Sequence, residues 1–290
     1  MFETAAALHS MGRRAMKRYA VVATHHKTGT VWMALVFRSI AKACDLPLTR
    51  IRKSHRLDAE TLPFPSIVLS QHSDFEKSGW MLEDSRCRIL HLIRDPRDIL
   101  LSSMRYHRTA TEPWLHKKRK PFKGQTYQEK INSLPDDHAR YIFEMENSTG
   151  RVIRAIREWD YTRSNVMECR YEDLIGDIEM TIFTAALLHL GFEDDELDAC
   201  RRAIRKNSLF GAVKKENNGE HIHSGEARQW KAMFDRSLAA EFIDRFGDVL
   251  IRLGYEKDNS WADSLPLTRD ARETDTHDPA TPAHGPAAEA

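Results

Sequence analysis

A chain of 290 residues has room for one large domain or two small ones. With 41% apolar and 30% charged residues it is a soluble globular protein, neither collagen-like, nor intrinsically disordered, nor a membrane bundle. Its 44 Lys and Arg against 43 Asp and Glu leave a net charge of +1, so no global field draws it to nucleic acid or an anionic membrane, and any bound anion must be held locally.

Residues 1–17 carry Glu3, His9 and the basic run Arg13-Arg14-Ala15-Met16-Lys17, which interrupt any signal-peptide core, and read as an N-terminal extension. Tyr19-Ala20-Val21-Val22-Ala23 predicts a buried strand. After a loop at His25-His26-Lys27-Thr28-Gly29-Thr30, the spacing of Met33, Phe37, Ile40 and Cys44 predicts a helix. Ser66-Ile67-Val68-Leu69 reads as a strand. Arg88 to Ile93 reads as another, leading into a helix from Pro96 to about His107 that Asp95 caps, with Asp98 reaching back to its free amides. Residues 108–136, with Trp114, the cluster His116-Lys117-Lys118-Arg119-Lys120 and Tyr127, show no period and read as a solvated insertion or as a lid over a site.

Val152, Ile153, Ile156 and Trp159 mark a helix, and Val166-Met167-Glu168-Cys169 marks a strand. One helix is then predicted with Leu174, Ile178, Ile182, Ala185 and Leu188 on a single face, and another with Leu238, Phe242, Phe246, Val249 and Leu253. From about Pro266 the chain turns to Thr, Asp, Ala and Pro, too poor in large apolar groups to offset its ordering entropy, which predicts a disordered tail.

Strands alternating with helices predict an α/β fold, a single domain with a mainly parallel central sheet flanked by helices. The expected organisation is an extension over 1–17, the domain over 18–262 and the tail over 263–290. Cys44, Cys87, Cys169 and Cys200 form no C-x-x-C pair and sit in apolar segments, which points to a reducing, cytoplasmic setting and away from metal ligation. No stretch approaches the roughly 20 apolar residues of a membrane span.

Two strand-to-helix junctions carry the chemistry. At the first, the amides of Thr28, Gly29, Thr30 and Val31 would point into a turn backed by a helix dipole, with Gly29 letting a ligand approach: a phosphate cradle. Lys27 precedes the glycine, whereas the nucleotide-triphosphate loop needs G-x-x-x-x-G-K-[ST]. At the second, Arg94-Asp95-Pro96-Arg97-Asp98 places Arg94 at a strand end and Ser102 two turns into the helix on the same side. Paired guanidinium donors beside a hydroxyl suit a phosphate monoester, although Arg94 could also pair with Asp98. Two phosphate sites at neighbouring strand ends match where open α/β sheets bind ligands.

Lys27-Thr28-Gly29-Thr30-Val31-Trp32 together with Arg94 to Ser102 resembles the two cofactor signatures of the cytosolic-type sulfotransferases, which use 3′-phosphoadenosine 5′-phosphosulfate (PAPS). The resemblance, spanning roughly Arg18 to Tyr255, implies a P-loop-like topology. It also implies that Lys27 and Thr28 to Val31 hold the 5′-phosphosulfate, Arg94 and Ser102 the 3′-phosphate, and Tyr171 the adenine side, with Trp32 and Phe210 as aromatic walls. Ser224-Gly225-Glu226-Ala227-Arg228-Gln229-Trp230-Lys231 resembles the family's G-x-x-G-x-W-K segment, which adds His223, Ser224 and Gly225 to the expected cofactor set. Four departures stand out: His25-His26 ahead of the lysine, Val31 for a threonine, His223-Ser224 for an Arg-Lys pair, and Arg228 for a second glycine.

The resemblance also implies a histidine base just after a buried strand. His72 follows Ile67-Val68-Leu69-Ser70-Gln71 and lies 22 residues before Arg94; a near-neutral pKa suits removal of a proton from an alcohol or phenol. His26 is the next candidate. His25, His26, His221 and His223 lack metal-ligand spacing, so no metal is expected. The expected activity is sulfuryl transfer from PAPS to a hydroxyl or amine of a small-molecule, glycan or lipid acceptor, with no nucleic-acid partner and a homodimer allowed. A P-loop small-molecule kinase and a catalytically silent nucleotide-binding relative are the alternatives.

Overall fold

The structure, a computed structural model, describes residues 17–51, 58–73, 75, 78–208 and 227–268. Five parallel strands form its sheet: β1 (Tyr19–Ala23), β2 (Leu48–Ile51), β3 (Ser66–Ser70), β4 (Cys87–Ile93) and β5 (Val166–Arg170). Their order is β2-β3-β1-β4-β5, so β1 lies at the centre, with β3 on one side and β4 on the other. The chain leaves β1 between neighbours entered from opposite directions, which opens a crevice at the carboxyl ends of the strands.

β1 is buried on both faces and therefore reads as an unbroken apolar run. Ala20 and Val22 pack in one core with α1 (Thr30–Ala43), α8 (Thr181–Leu190) and α9 (Asp194–Lys206). Tyr19, Val21 and Ala23 pack in another with Phe75 and Met81, the latter on the short α2 (Trp80–Glu83). A third core joins α3 (Pro96–Thr109), α4 (Tyr127–Asn132), α5 (Asp137–Glu146), α6 (Ser148–Arg157), α10 (Trp230–Met233) and α11 (Arg236–Arg252). Each Val, Leu, Ile or Phe fully buried in these cores contributes about 1.5–3 kcal/mol relative to exposure.

Three expectations need correction. The stretch from Tyr171 to Leu190 is two helices, α7 (Tyr171–Leu174) and α8, because Asp177 caps α8 by accepting from the amides of Thr181 and Phe183, both at 2.8 Å, while Met180 turns left-handed at φ 62°. Ile178 and Leu188, expected on the buried face, are exposed; Phe183, Ala186, Leu187 and Leu190 fill the core instead. Asp95 caps α3 as expected, at 2.9 Å from the Arg97 amide, but Asp98 does not reach back. Its carboxylate accepts from the amides of Arg228 (2.6 Å) and Trp230 (2.9 Å), clamping a distant segment to α3.

Residues 108–136 are anchored and not simply solvated. Leu115, Tyr127 and Ile131 are fully buried in the third core, while Lys117, Lys118 and Lys120 face outward. Packed chain continues to Pro266, whose carbonyl accepts from the Arg236 amide at 2.9 Å, with Leu265 buried; residues 269–290 lie outside the described set. Among the described residues no helix is long and apolar enough to cross a membrane.

Candidate active site

The loop between β1 and α1 is tied down by its own side chains. The Thr28 hydroxyl donates to the His25 carbonyl at 3.0 Å and accepts from the His25 amide at 2.9 Å; the Thr30 hydroxyl donates to the same carbonyl at 2.8 Å. The Thr28 amide also turns back to His25, at 3.2 Å. Thr28 therefore shapes the loop from within, and the outward-facing donors begin at the first turn of α1, where Thr30, Val31 and Trp32 have no intrahelical carbonyl to bond. Gly29 caps this helix at φ 99°, a left-handed conformation, and a Cβ there would lie 3.1 Å from the Tyr171 ring. Both facts demand glycine.

Tyr171 comes from the end of β5, and the Arg94 guanidinium from the end of β4 lies 4.6 Å over its ring. Arg94 donates to the Lys27 carbonyl at 3.2 Å and stands 3.9 Å from Asp98. Its neighbour Arg97 behaves differently. Fully buried, Arg97 forks onto Asp95 at 3.0 and 2.8 Å, pairs with Glu256 at 2.7 Å and lies over Trp230, which makes it a structural hub. Trp32 is likewise internal: its indole N–H donates to the Asn207 carbonyl at 2.7 Å and its ring meets Tyr171 edge-on. Ser102 is half-buried on the second turn of α3.

Lys27, at φ 64°, carries its ammonium 3.8 Å above the face of Tyr106. Burial, reinforced by Arg94 and opposed by Glu112, pulls its pKa down to about 8. Glu112 accepts from the Tyr106 hydroxyl at 2.9 Å, which links the 108–136 segment to this lysine.

Histidines gather behind Lys27. His25 Nε2 lies 2.9 Å from His91 Nε2, and His91 stacks on Trp159 at 4.1 Å. His26 Nε2 lies 3.1 Å from His107 Nε2. His72 is exposed just past β3, close enough for its charge to act on both His25 and His26. Burial first, then these neighbours, keeps His25 and His26 well below the ordinary histidine range, so both are neutral near pH 7. Among the described residues, no group of three or more His, Cys, Asp or Glu side chains is placed to hold a metal ion.

The sulfotransferase domain family matches residues 17–254. The chain belongs to that family. A mouse sulfotransferase solved with PAP aligns at 17% identity with a TM-score of 0.53, over 81% of this chain and 84% of that one. Retinol dehydratase solved with retinol and PAP aligns at 17% identity and 0.51, over 79% and 80%. These two likenesses are of fold. No curated protein matches the sequence significantly.

In this sulfotransferase the fold brings Lys27, Gly29, Thr30, Val31, Arg94 and Tyr171 to one edge of the sheet, with His72 on the adjoining strand end. Phe210, His223, Ser224 and Gly225 lie outside the described residues. The sequence reading missed Tyr106, His107, Glu112 and Glu144. His107 sits on the buried face of a helix, where a histidine reads as core, and only its separation of 81 residues from His26 shows why no local pattern exposes the pair.

Proposed function

We propose that this sulfotransferase moves a sulfuryl group from PAPS directly to a hydroxyl or amine of a small-molecule, glycan or lipid acceptor. The observation that carries this reading is the convergence of two separate anion-binding devices, the α1 amides with Lys27 and the Arg94 guanidinium, at neighbouring strand ends. The residues fit such a donor: Gly29 leaves a cradle that a Cβ would fill, and the helix dipole behind it favours a phosphate group.

Lys27 and the amides of Thr30 and Val31 take the phosphosulfate end, where charge grows on the bridging oxygen as sulfur is transferred in line. Val31 brings no hydroxyl, so its amide supplies the contact. Arg94, with Ser102, takes the 3′-phosphate through paired charge-assisted donors, and the adenine lies on the Tyr171 side. His72 takes the acceptor proton. The 108–136 segment reaches this site through Glu112, which accepts from the Tyr106 hydroxyl of α3 beneath the Lys27 ammonium. A cytoplasmic setting, for which the cysteine spacing in the sequence speaks, completes the reading, and a homodimer is allowed.

Calorimetry with adenosine 3′,5′-bisphosphate (PAP), 5′-AMP and ATP-magnesium tests it. PAP should bind much more tightly than 5′-AMP, and Arg94→Ala should weaken PAP by roughly 10- to 100-fold, the loss of about one charge-assisted hydrogen bond, while barely changing 5′-AMP. Equal losses for both ligands remove Arg94 from the 3′-phosphate, and tighter binding of ATP-magnesium than of PAP favours the kinase alternative.

A further inference from the structure

Behind His26 runs a hydrogen-bond chain for which the donor site has no use. His26 Nε2 meets His107 Nε2 at 3.1 Å; His107 Nδ1 meets Glu144 Oε1 at 2.7 Å; the Thr149 hydroxyl donates to Glu144 Oε2 at 2.6 Å. The four residues come from the β1–α1 loop, α3, α5 and α6. His107, Glu144 and Thr149 have no solvent exposure. A buried carboxylate is unfavourable unless donors surround it. Glu144 has three, since the Tyr127 hydroxyl bonds to it as well.

The chain sets the proton positions. A carboxylate only accepts, so a neutral His107 carries its proton on Nδ1 and presents a lone pair at Nε2. That lone pair requires a proton on His26 Nε2. His26 Nδ1 is then the nitrogen with an open lone pair, on a ring that is partly exposed. The His26 ring lies 5.6 Å from the ring of Tyr106, the same ring that carries the Lys27 ammonium, and within electrostatic reach of His72. His26 is therefore within electrostatic reach of both the donor-side lysine and the histidine at the end of β3.

Resting on the sulfuryl-transfer reading, we propose that His26 is a second catalytic proton acceptor beside His72, with His107 and Glu144 as positioning residues that hold its tautomer and take the proton onward. The acceptor O–H bond breaks, its electron pair attacks sulfur, and the bond from sulfur to the bridging oxygen breaks with its pair left on the bisphosphate. When His26 rather than His72 takes the proton, an N–H bond forms at His26 Nδ1 as the His26 Nε2 proton passes to His107 Nε2. Positive charge then rests on His107 against Glu144. The groups facing His26 are Lys27 on its own loop, His72 past β3, and Tyr106 and His107 on α3; those facing His107 are Glu144 on α5, Tyr127 on α4 and Trp114.

Two measurements on the full chain test this. In ¹⁵N-histidine NMR without ligand, His26 should carry its proton on Nε2 and the His107 Nδ1 proton should resonate far downfield. Glu144→Gln should abolish that resonance, and Thr149→Val, a milder change of the same shape, should shift it. His26 protonated on Nδ1 overturns the proposal. With PAPS, in a His72→Ala background where His26 is the remaining acceptor, Glu144→Gln should slow transfer to a simple aliphatic alcohol by a further ~10- to 100-fold and flatten its pH profile, while sparing transfer to ionised 4-nitrophenol and leaving PAP affinity intact. Equal slowing on both acceptors, or an unchanged alcohol rate, also overturns it. Should wild-type protein fail to bind PAP, the donor reading falls by itself, and the NMR result still decides the proton chain.

Discussion

Lys27 and His26 are neighbours in one loop, yet each is held by a different kind of structure. Around Lys27 the parts are backbone amides, a left-handed glycine and side chains at the ends of β4 and β5, so the sheet itself sets the spacing. Around His26 the parts are side chains from three helices, joined only by hydrogen bonds through a buried carboxylate. An anion site built on main chain is hard to lose by mutation except at its few charged groups. A proton path built on side chains fails at any link, because each bond assigns the tautomer of the next.

The largest effect expected is at Lys27. On the proposed reading Lys27→Ala removes the cation that meets the leaving oxygen and should slow transfer to every acceptor by up to ~10³-fold, the loss seen when an electrostatic stabiliser is removed. A loss confined to weakly acidic acceptors would place Lys27 on the proton side and erase the division between the two halves. Next is His72→Ala, with an expected loss of about 10²-fold for an aliphatic alcohol and little change in PAP affinity. That sits at the low end for a lost base, because His26 remains. The double variant His72→Ala, Glu144→Gln should fall further than either single change, and pH–rate profiles of all three check it.

The strand-to-helix junctions of the proposed donor half were legible because an apolar run marks each strand and helical spacing follows it at once. Lys27, Gly29 and Arg94 stand beside strand ends that apolar runs such as Tyr19–Ala23 and Cys87–Ile93 announce, and strand ends are where such sheets bind ligands. β2 escaped notice because Leu48–Ile51 is an edge strand of half-exposed residues with neither an apolar run nor clean alternation. The helix expected to carry Leu174 through Leu188 was misread because helical spacing continued across Gly176 and Asp177, and Asp177 is a cap. Of the proton half only His26 was legible, as the next candidate base: His107, Glu144 and Thr149 become its neighbours only when α3, α5 and α6 pack, and each alone passes for an ordinary core or helix residue.

Gly29→Ala gives a smaller effect that separates shape from charge. Placing an L side chain in the left-handed region costs about 1–2 kcal/mol, and its Cβ would press on Tyr171 at 3.1 Å. A fall of several degrees in melting temperature and about tenfold weaker PAP binding are expected. The NMR signature of His26 and His107 should persist. If that signature disappears as well, the two halves are mechanically one, and the contrast drawn above fails.

The finest test uses pH. Burial and then Arg94 lower the Lys27 pKa to about 8 in the free protein, and the phosphate groups of a bound bisphosphate must raise it. Affinity is therefore full below the free pKa and lost as pH rises through 8, since the neutral amine must first be charged to engage the ligand. Between pH 7 and 8.5 the expected weakening of PAP is about fourfold, steepening toward tenfold per unit beyond. Lys27→Arg keeps its charge across this range and should bind PAP with nearly flat pH dependence. Glu144→Gln should retain the wild-type pH dependence of PAP binding. Calorimetry across pH on the three proteins checks this, and a Glu144→Gln binding curve displaced from the wild-type curve would show that the proton chain titrates Lys27 and that the halves share one charge.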